Sequence, residues 1–150
     1  MATQFEQQVQ EWVNRTKAKL RLTNKEVILA VAGSLVGKSP IGRPEMWKDP
    51  PPKGYLPGQF KANWRGSFGT VDYTTEDFVD VTGEVSLVQI NSAIPEDPTG
   101  VFYITNSLPY AQVLEDGGAI HNIPPGGYVA LTVLEFDQIA AASILKVKEL

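Results

Sequence analysis

Six of the chain's eleven prolines fall between Ser39 and Gly58, at positions 40, 44, 50, 51, 52 and 57. Each removes a backbone donor and drives the residue before it out of the helical region, so neither helix nor central strand persists across this stretch. A connection of that length is uncommon in a compact domain unless it is functional or disordered. Ile41, Met46, Trp47, Tyr55 and Leu56 argue against disorder, because apolar side chains of this size need a surface to bury against. Residues 39–58 are therefore read as a proline-rich arm or loop within one domain spanning 1–150. The surface that its apolar residues need lies on this chain or on another, which makes Trp47, Tyr55 and Leu56 candidate interface residues.

A chain of 150 residues buries roughly 70% of the surface that its unfolded form exposes, so it needs no disulfide or metal to stay folded. The absence of cysteine removes disulfide frameworks, zinc-thiolate and iron-sulfur sites and thiol nucleophiles. The longest apolar run, Val27 to Ala32, is far short of the roughly 20 residues that span a bilayer. The polar start has no secretory character, and a cytoplasmic chain is expected.

Ahead of the arm, Phe5, Val9, Trp12, Val13 and Leu20 recur at helical spacing, with Thr3 and Glu6 as a capping box. Thr23 and Glu26 repeat that signature directly before Val27, Ile28, Ala30, Val31 and Leu35. Two N-terminal helices separated by a short break are expected, the second running to about Gly37. Beyond the arm, Phe60 to Phe68, Val71 to Tyr73, Val85 to Ile90 and Val101 to Thr105 are β-rich and bounded by turn residues. They predict a small, mainly antiparallel sheet of three to five strands. Pro109 to Glu115 reads as a brief helix stopped by Gly117. Thr132 and Glu135 form a third capping box before a C-terminal helix with the apolar stripe Val133, Phe136, Ala140, Ile144 and Val147. The fold class is α+β, with helices packed on one face of the sheet.

The net charge of −4 conceals an asymmetry. Residues 1–65 carry net +6, whereas residues 66–150 carry net −10. Such a split folds into a molecular dipole, or it places the basic part of one copy against the acidic part of the next. A head-to-tail contact of the second kind closes into a ring or grows into a filament.

No motif for catalysis survives inspection. Gly33 to Ser39 has three residues between its glycines where a phosphate-binding loop needs four, and it follows a helical pattern instead of a strand. His121, the only histidine, has no companion that would make it a base or a ligand. Asp72, Glu76, Asp77, Asp80 and Glu84 lack the spacing of a calcium loop. No recognised nucleic-acid motif accompanies the basic residues Arg15, Lys17, Lys19, Arg21 and Lys25. Neither an enzyme nor a cofactor is expected.

The stretch from Val101 to Gly117 resembles the neck and tail-completion proteins of tailed bacteriophages, the family that includes tail terminators and head-tail joining proteins. The resemblance rests on a strand followed by Asn106 and a Pro-Tyr-Ala-x-x-Leu-Glu-x-Gly turn, here Pro109, Tyr110, Ala111, Leu114, Glu115 and Gly117. Upstream, Ser39-Pro40 after an apolar helix and Gly58-x-Phe60-x-x-Asn63-Trp64 also match, as does Leu131-Thr132-x-x-Glu135-Phe136 downstream, so that about residues 20–145 are covered. The chain departs from the family pattern at Asn122 to Tyr128 and in its long proline stretch.

The resemblance implies a small α+β domain assembling as a homo-oligomeric ring, a hexamer foremost, around the DNA channel. Its partners would be the tail tube protein and the head-tail connector, with DNA passing through unread and no membrane involved. The location would be the virion neck, assembled in the host cytoplasm. Tyr110, Leu114 and Glu115 join the candidate interface, and Asp72, Glu76, Asp77, Asp80 and Glu84 are expected to line the lumen. The alternative is a cytoplasmic, non-enzymatic binding module whose proline segment closes over a ligand.

Overall fold

The computed structural model describes residues 1–116, 119–120 and 127–150. The chain begins with one helix of 35 residues, α1 (Gln4–Lys38). Thr3 and Glu6 cap it reciprocally: the Thr3 amide donates to the Glu6 carboxylate at 2.6 Å, and the Glu6 amide donates to the Thr3 hydroxyl at 3.1 Å. The expected break between two helices is absent. Residues 20–26 contain neither Gly nor Pro, and the Thr-x-x-Glu pattern caps only where the backbone before it is non-helical. Thr23 instead turns its hydroxyl back to the Lys19 carbonyl at 2.8 Å, and Glu26 accepts from Lys146 at 2.9 Å.

Pro40 follows the end of α1, where Ser39 is extended and buried. The Ser39 hydroxyl donates to the Leu35 carbonyl at 2.7 Å and accepts from the Trp64 indole at 2.8 Å. This one hydroxyl fastens the helix end to the sheet.

The proline-rich stretch is a packed loop and not a free arm. It contains a short 3-10 turn at Pro44–Met46, and Trp47 makes an isolated antiparallel bridge to Ile120. Farther along lie α2 (Gln59–Ala62), β1 (Trp64–Phe68), α3 (Glu84–Ala93) and β2 (Phe102–Asn106). The strands pair antiparallel, with Trp64 opposite Asn106 and Phe68 opposite Phe102.

Among the described residues the sheet has two strands, where three to five were expected. Val101 to Thr105 is the strand anticipated there, shifted by one residue, but Val71 to Tyr73 forms none and Val85 to Ile90 is helical. The reason lies in the polar residues of α3. Ser86 and Gln89 are on the same helix face as Ile90, and they bond the outer edge of β1. The Trp64 amide donates to the Ser86 hydroxyl at 3.2 Å. The Gly66 amide donates to the Gln89 side chain at 2.7 Å, and the Gln89 amide returns a bond to the Gly66 carbonyl at 3.0 Å. An exposed strand edge invites further pairing, and here a helix covers it. A side chain at Gly66 would be driven to 3.0 Å from the Ile90 backbone, so glycine lets α3 approach.

The chain ends with α4 (Ala111–Glu115), α5 (Tyr128–Leu134) and α6 (Phe136–Lys148). The brief helix expected at Pro109 to Glu115 is α4, while its Gly117 stop lies outside the described residues. The third capping box is also corrected. The chain bends at Glu135, between two helices, and Thr132 is inside α5. The Thr132 hydroxyl pairs with Ser34 at 3.1 Å, and Glu135 accepts from Lys38 at 2.8 Å, so both residues hold α5 and α6 to α1. With Lys146 bonded to Glu26, these contacts set α6 antiparallel to α1. Of the expected stripe only Val147 is fully buried; Val133, Phe136 and Ile144 remain exposed.

The core gathers where α1, α3, α5 and the sheet meet the proline loop, around Val36, Phe60, Trp64, Ile90, Leu114 and Tyr128. The helix-plus-small-sheet arrangement is α+β.

Candidate functional site

The segment that carries the phage resemblance folds into a compact junction. Asn106 ends β2 and donates to the Phe60 carbonyl at 2.8 Å, while its side-chain oxygen accepts from the Leu108 amide at 3.3 Å. Tyr110 is buried, and its hydroxyl donates to the Gln59 side chain at 3.1 Å. Leu114 is 1% exposed. Glu115 then reaches across to the start of α5. One carboxylate oxygen accepts from the amides of Tyr128 and Val129 at 2.8 and 3.0 Å, and the other from Ala130 at 3.1 Å. These are the amides that a helix start leaves without partners, so a residue far back in sequence caps α5. Gly127 makes this possible. Its φ of 80° suits glycine, and a Cβ there would lie 2.4 Å from the Glu115 carboxyl carbon.

Tyr110 and Leu114 are thus internal, which corrects their assignment as interface residues: the resemblance marked them, and both belong to the core. Trp47 is also buried, at 9% exposure. Its ring meets Tyr55 edge-on at 4.9 Å, and Tyr55 meets Tyr110 at 4.9 Å. The Tyr55 hydroxyl donates to the Gly42 carbonyl at 2.5 Å. Burial raises the pKa of Tyr55, and burial also raises that of Tyr110, whose neighbour Tyr55 adds to the effect. Burial raises Tyr128 in the same way, with Glu115 contributing. Of the proline-loop candidates only Leu56 is exposed, at 43%.

The acidic residues were expected to share a surface; Glu76 and Asp77 are exposed on the segment between β1 and α3, and Glu84 is exposed at the first position of α3. Asp72 and Asp80 are engaged locally. Asp72 accepts from the Thr74 hydroxyl and amide, and Asp80 accepts from Thr82 and from the Val85 amide at the start of α3. The threonine hydroxyls are the main reason that both carboxyls lie below the usual aspartate range. Glu76 pairs with Arg65 at 3.2 Å.

Asn63, quoted in the match to the neck family, and Gln59, which the sequence did not single out, anchor this acidic segment. Asn63 is fully buried; its oxygen accepts from the Glu76 amide at 2.9 Å, and its amide donates to the carbonyls of Gln59 and Glu76. Gln59 donates to the same Glu76 carbonyl at 3.2 Å. A buried asparagine adjoining a tryptophan in a strand pattern was the available signal.

The charge split is partly satisfied within the chain. Arg21 with Asp97, Lys38 with Glu135 and Arg65 with Glu76 each join a cation from residues 1–65 to an acid from residues 66–150. Two concavities are relevant to binding. One of about 430 Å³ lies beside the proline loop, lined by Pro52, Gln59, Asp77, Leu108, Pro109 and Tyr110 among others. The other, about 550 Å³, is an apolar groove between α1, the turn near Gly100 and α6, with Leu20, Val27, Phe102, Phe136 and Ile144 on its walls.

Among the described residues no three His, Asp or Glu side chains gather to hold a metal ion. His121 lies outside them. Among the same residues no single helix is long and apolar enough to cross a membrane. No protein-family model, no curated protein and no solved structure matches this chain.

Proposed function

We propose that the chain is a structural subunit of a tailed-phage neck, part of a ring that completes or terminates the tail tube and joins it to the head connector. The observation that carries this reading is the unit from Asn106 to Glu115. The residues that resemble the neck family are those whose side chains fasten β2, α4 and α5 together, so the resemblance coincides with an architectural element. The work is mechanical: subunits close a ring, the ring stacks on the tail tube and on the connector, and DNA passes through without being read. No catalysis and no cofactor enter this role. Assembly takes place in the host cytoplasm and the product is part of the virion.

The test is the mass of the protein in solution across a concentration series, with electron microscopy of any large species. The reading expects a closed ring of about six protomers, about 98 kDa from a chain of 16.4 kDa, that adds to the ends of purified tails. Monomers that never add to tails would overturn it.

The 430 Å³ concavity beside Pro52 and Tyr110 favours a second reading, a binding module whose proline loop covers a small ligand or peptide. That reading expects a monomer at all concentrations and thermal stabilisation by the ligand.

A further inference from the structure

The first half of α1 extends from the body, which it touches at its base through the Arg21–Asp97 pair. Between residues 4 and 21 every residue except Val13 is exposed, and these 18 residues make a rod about 27 Å long at 1.5 Å per residue. One face of the rod is apolar, with Phe5 73%, Trp12 62%, Leu20 55% and Val9 43% exposed. Flanking that face are Arg15, Lys17, Lys19 and Arg21, with no acid between Trp12 and Lys25. The helix is unbroken through Lys38, so the projecting half cannot fold back to cover its own stripe. No described residue of the same chain covers Phe5, Val9 or Trp12.

A second surface of opposite charge is uncovered at the far end of the same helix. The segment 71–88 exposes Tyr73 at 72%, Val88 at 68% and Val81 at 54%, together with Phe78 and Val79. It carries five acids and no cation. The body holds it in place through Asn63, Gln59 and the Arg65–Glu76 pair. A Cβ at Gly83 would strike Val36, which places the segment beside the C-terminal end of α1, sixteen residues or about 24 Å along the helix from Leu20. The rod and the acidic segment thus lie at opposite ends of one helix, where they cannot meet within one molecule.

We propose that the projecting half of α1 in one copy seats on residues 71–88 of the next. The apolar stripe covers Tyr73, Phe78, Val81 and Val88, while Arg15, Lys17 and Lys19 face Asp77 and Glu84. Two features select a second copy docked in this way. Charge is complementary between rod and segment, whereas two rods placed side by side each carry net +2 between residues 4 and 21 and repel. Apolar groups accompany the charge on both surfaces, which a pore wall facing DNA has no use for. The acids expected to line a lumen are thereby assigned to the contact between subunits. Because rod and segment are different surfaces, the contact is heterologous and repeats from copy to copy. This deepens the ring reading and rests on it for the expectation that the series closes.

Charge exchange in the full-length protein tests the contact. One variant reverses the rod (R15E/K17E/K19E) and another reverses the segment (D77K/E84K); light scattering follows the mass of each, of wild type, and of an equimolar mixture. Wild type is expected to grow past a dimer as concentration rises. Each variant alone is expected to need about tenfold or more protein to associate. The mixture is expected to assemble again, because each variant offers the reversed partner to the other; this recovery also shows that both variants are folded. D77K/E84K assembling as wild type does would overturn the proposal, favouring rod-to-rod pairing or a lumen position for the acids. A wild type that remains monomeric up to about 1 mM would overturn it as well. The ring reading fails separately: open filaments that obey the charge exchange support the contact and refute the ring, whereas rings indifferent to it support the ring and refute the contact.

Discussion

The two halves of α1 share one hydrogen-bond ladder and similar apolar periodicity, yet they live in different surroundings. In the C-terminal half, Ala32, Leu35 and Val36 are buried by neighbouring elements of the same chain. In the N-terminal half Phe5, Val9, Trp12 and Leu20 recur as regularly and stay exposed, with Leu20 alone of the four at the edge of the groove beside α6. Most helical stability in proteins comes from packing of an amphipathic face, which the exposed rod lacks, so it is held by its Thr3–Glu6 cap and by continuity with the packed half. Periodicity therefore reports that a face needs cover, and the fold reports whether the same molecule supplies it.

The sharpest way to break that comparison is to truncate one tryptophan in each environment. Trp64→Ala removes a core ring, leaves Ser39 without its indole donor and is expected to lose about 3–5 kcal/mol of unfolding free energy. Trp12→Ala is expected to stay within about 0.5 kcal/mol of wild type in dilute solution. Denaturant titrations measure both, and comparable losses would mean that the rod is packed after all.

The Glu115 junction is next in size. Gly127→Ala meets both a positive φ and the Glu115 carboxylate, and about 2 kcal/mol is expected to be lost. Glu115→Ala, which strips three amides of their acceptor, is expected to cost about 1–2 kcal/mol by the same titration.

Two threonines in the same helix separate a working cap from a silent one. Thr3→Ala is expected to fray the rod, with a local cost of about 1 kcal/mol seen as faster amide exchange in its first turns. Thr23→Ala is expected to change stability by less than about 0.5 kcal/mol, because its hydroxyl only back-bonds to Lys19. A larger effect at Thr23 would restore the break that the sequence suggested.

The smallest effect is the acid limb of the stability profile. Asp72 and Asp80 have folded-state pKa values below the ordinary 3.8, so their stabilising contribution is present above that value and is lost as pH falls through the folded values. Asp72→Asn combined with Asp80→Asn is expected to flatten thermal stability against pH below about 4 and to lower it near neutrality. An unchanged acid limb would show that those turns are not held by ionised carboxylates.

Much of the fold was legible where a local signal had no competitor. The Thr3–Glu6 cap, the strand near Val101 and the short helix after Pro109 follow from residues that act on their nearest neighbours. The failures share one physical cause. Thr23–Glu26 and Thr132–Glu135 have the composition of capping boxes, but partners distant in sequence engage Glu26, Thr132 and Glu135. Val85 to Ile90 is β-rich, and Ser86 and Gln89 decide its helical form by bonding the edge of a strand some 22 residues earlier. Trp47 and Tyr110 were visible as residues needing a contact, while the Tyr55 ring between them was not foreseeable as that contact.

Hydrogen exchange read by mass spectrometry, at a dilute and at a concentrated condition, tests the central claim most directly. At low concentration the account predicts fast exchange over residues 4–21 and slow exchange over residues 28–38 of the same helix. At high concentration it predicts that protection appears in residues 4–21 and 71–88 together. Slow exchange along the whole of α1 in the dilute monomer, or protection of the rod while 71–88 is unchanged, would contradict it.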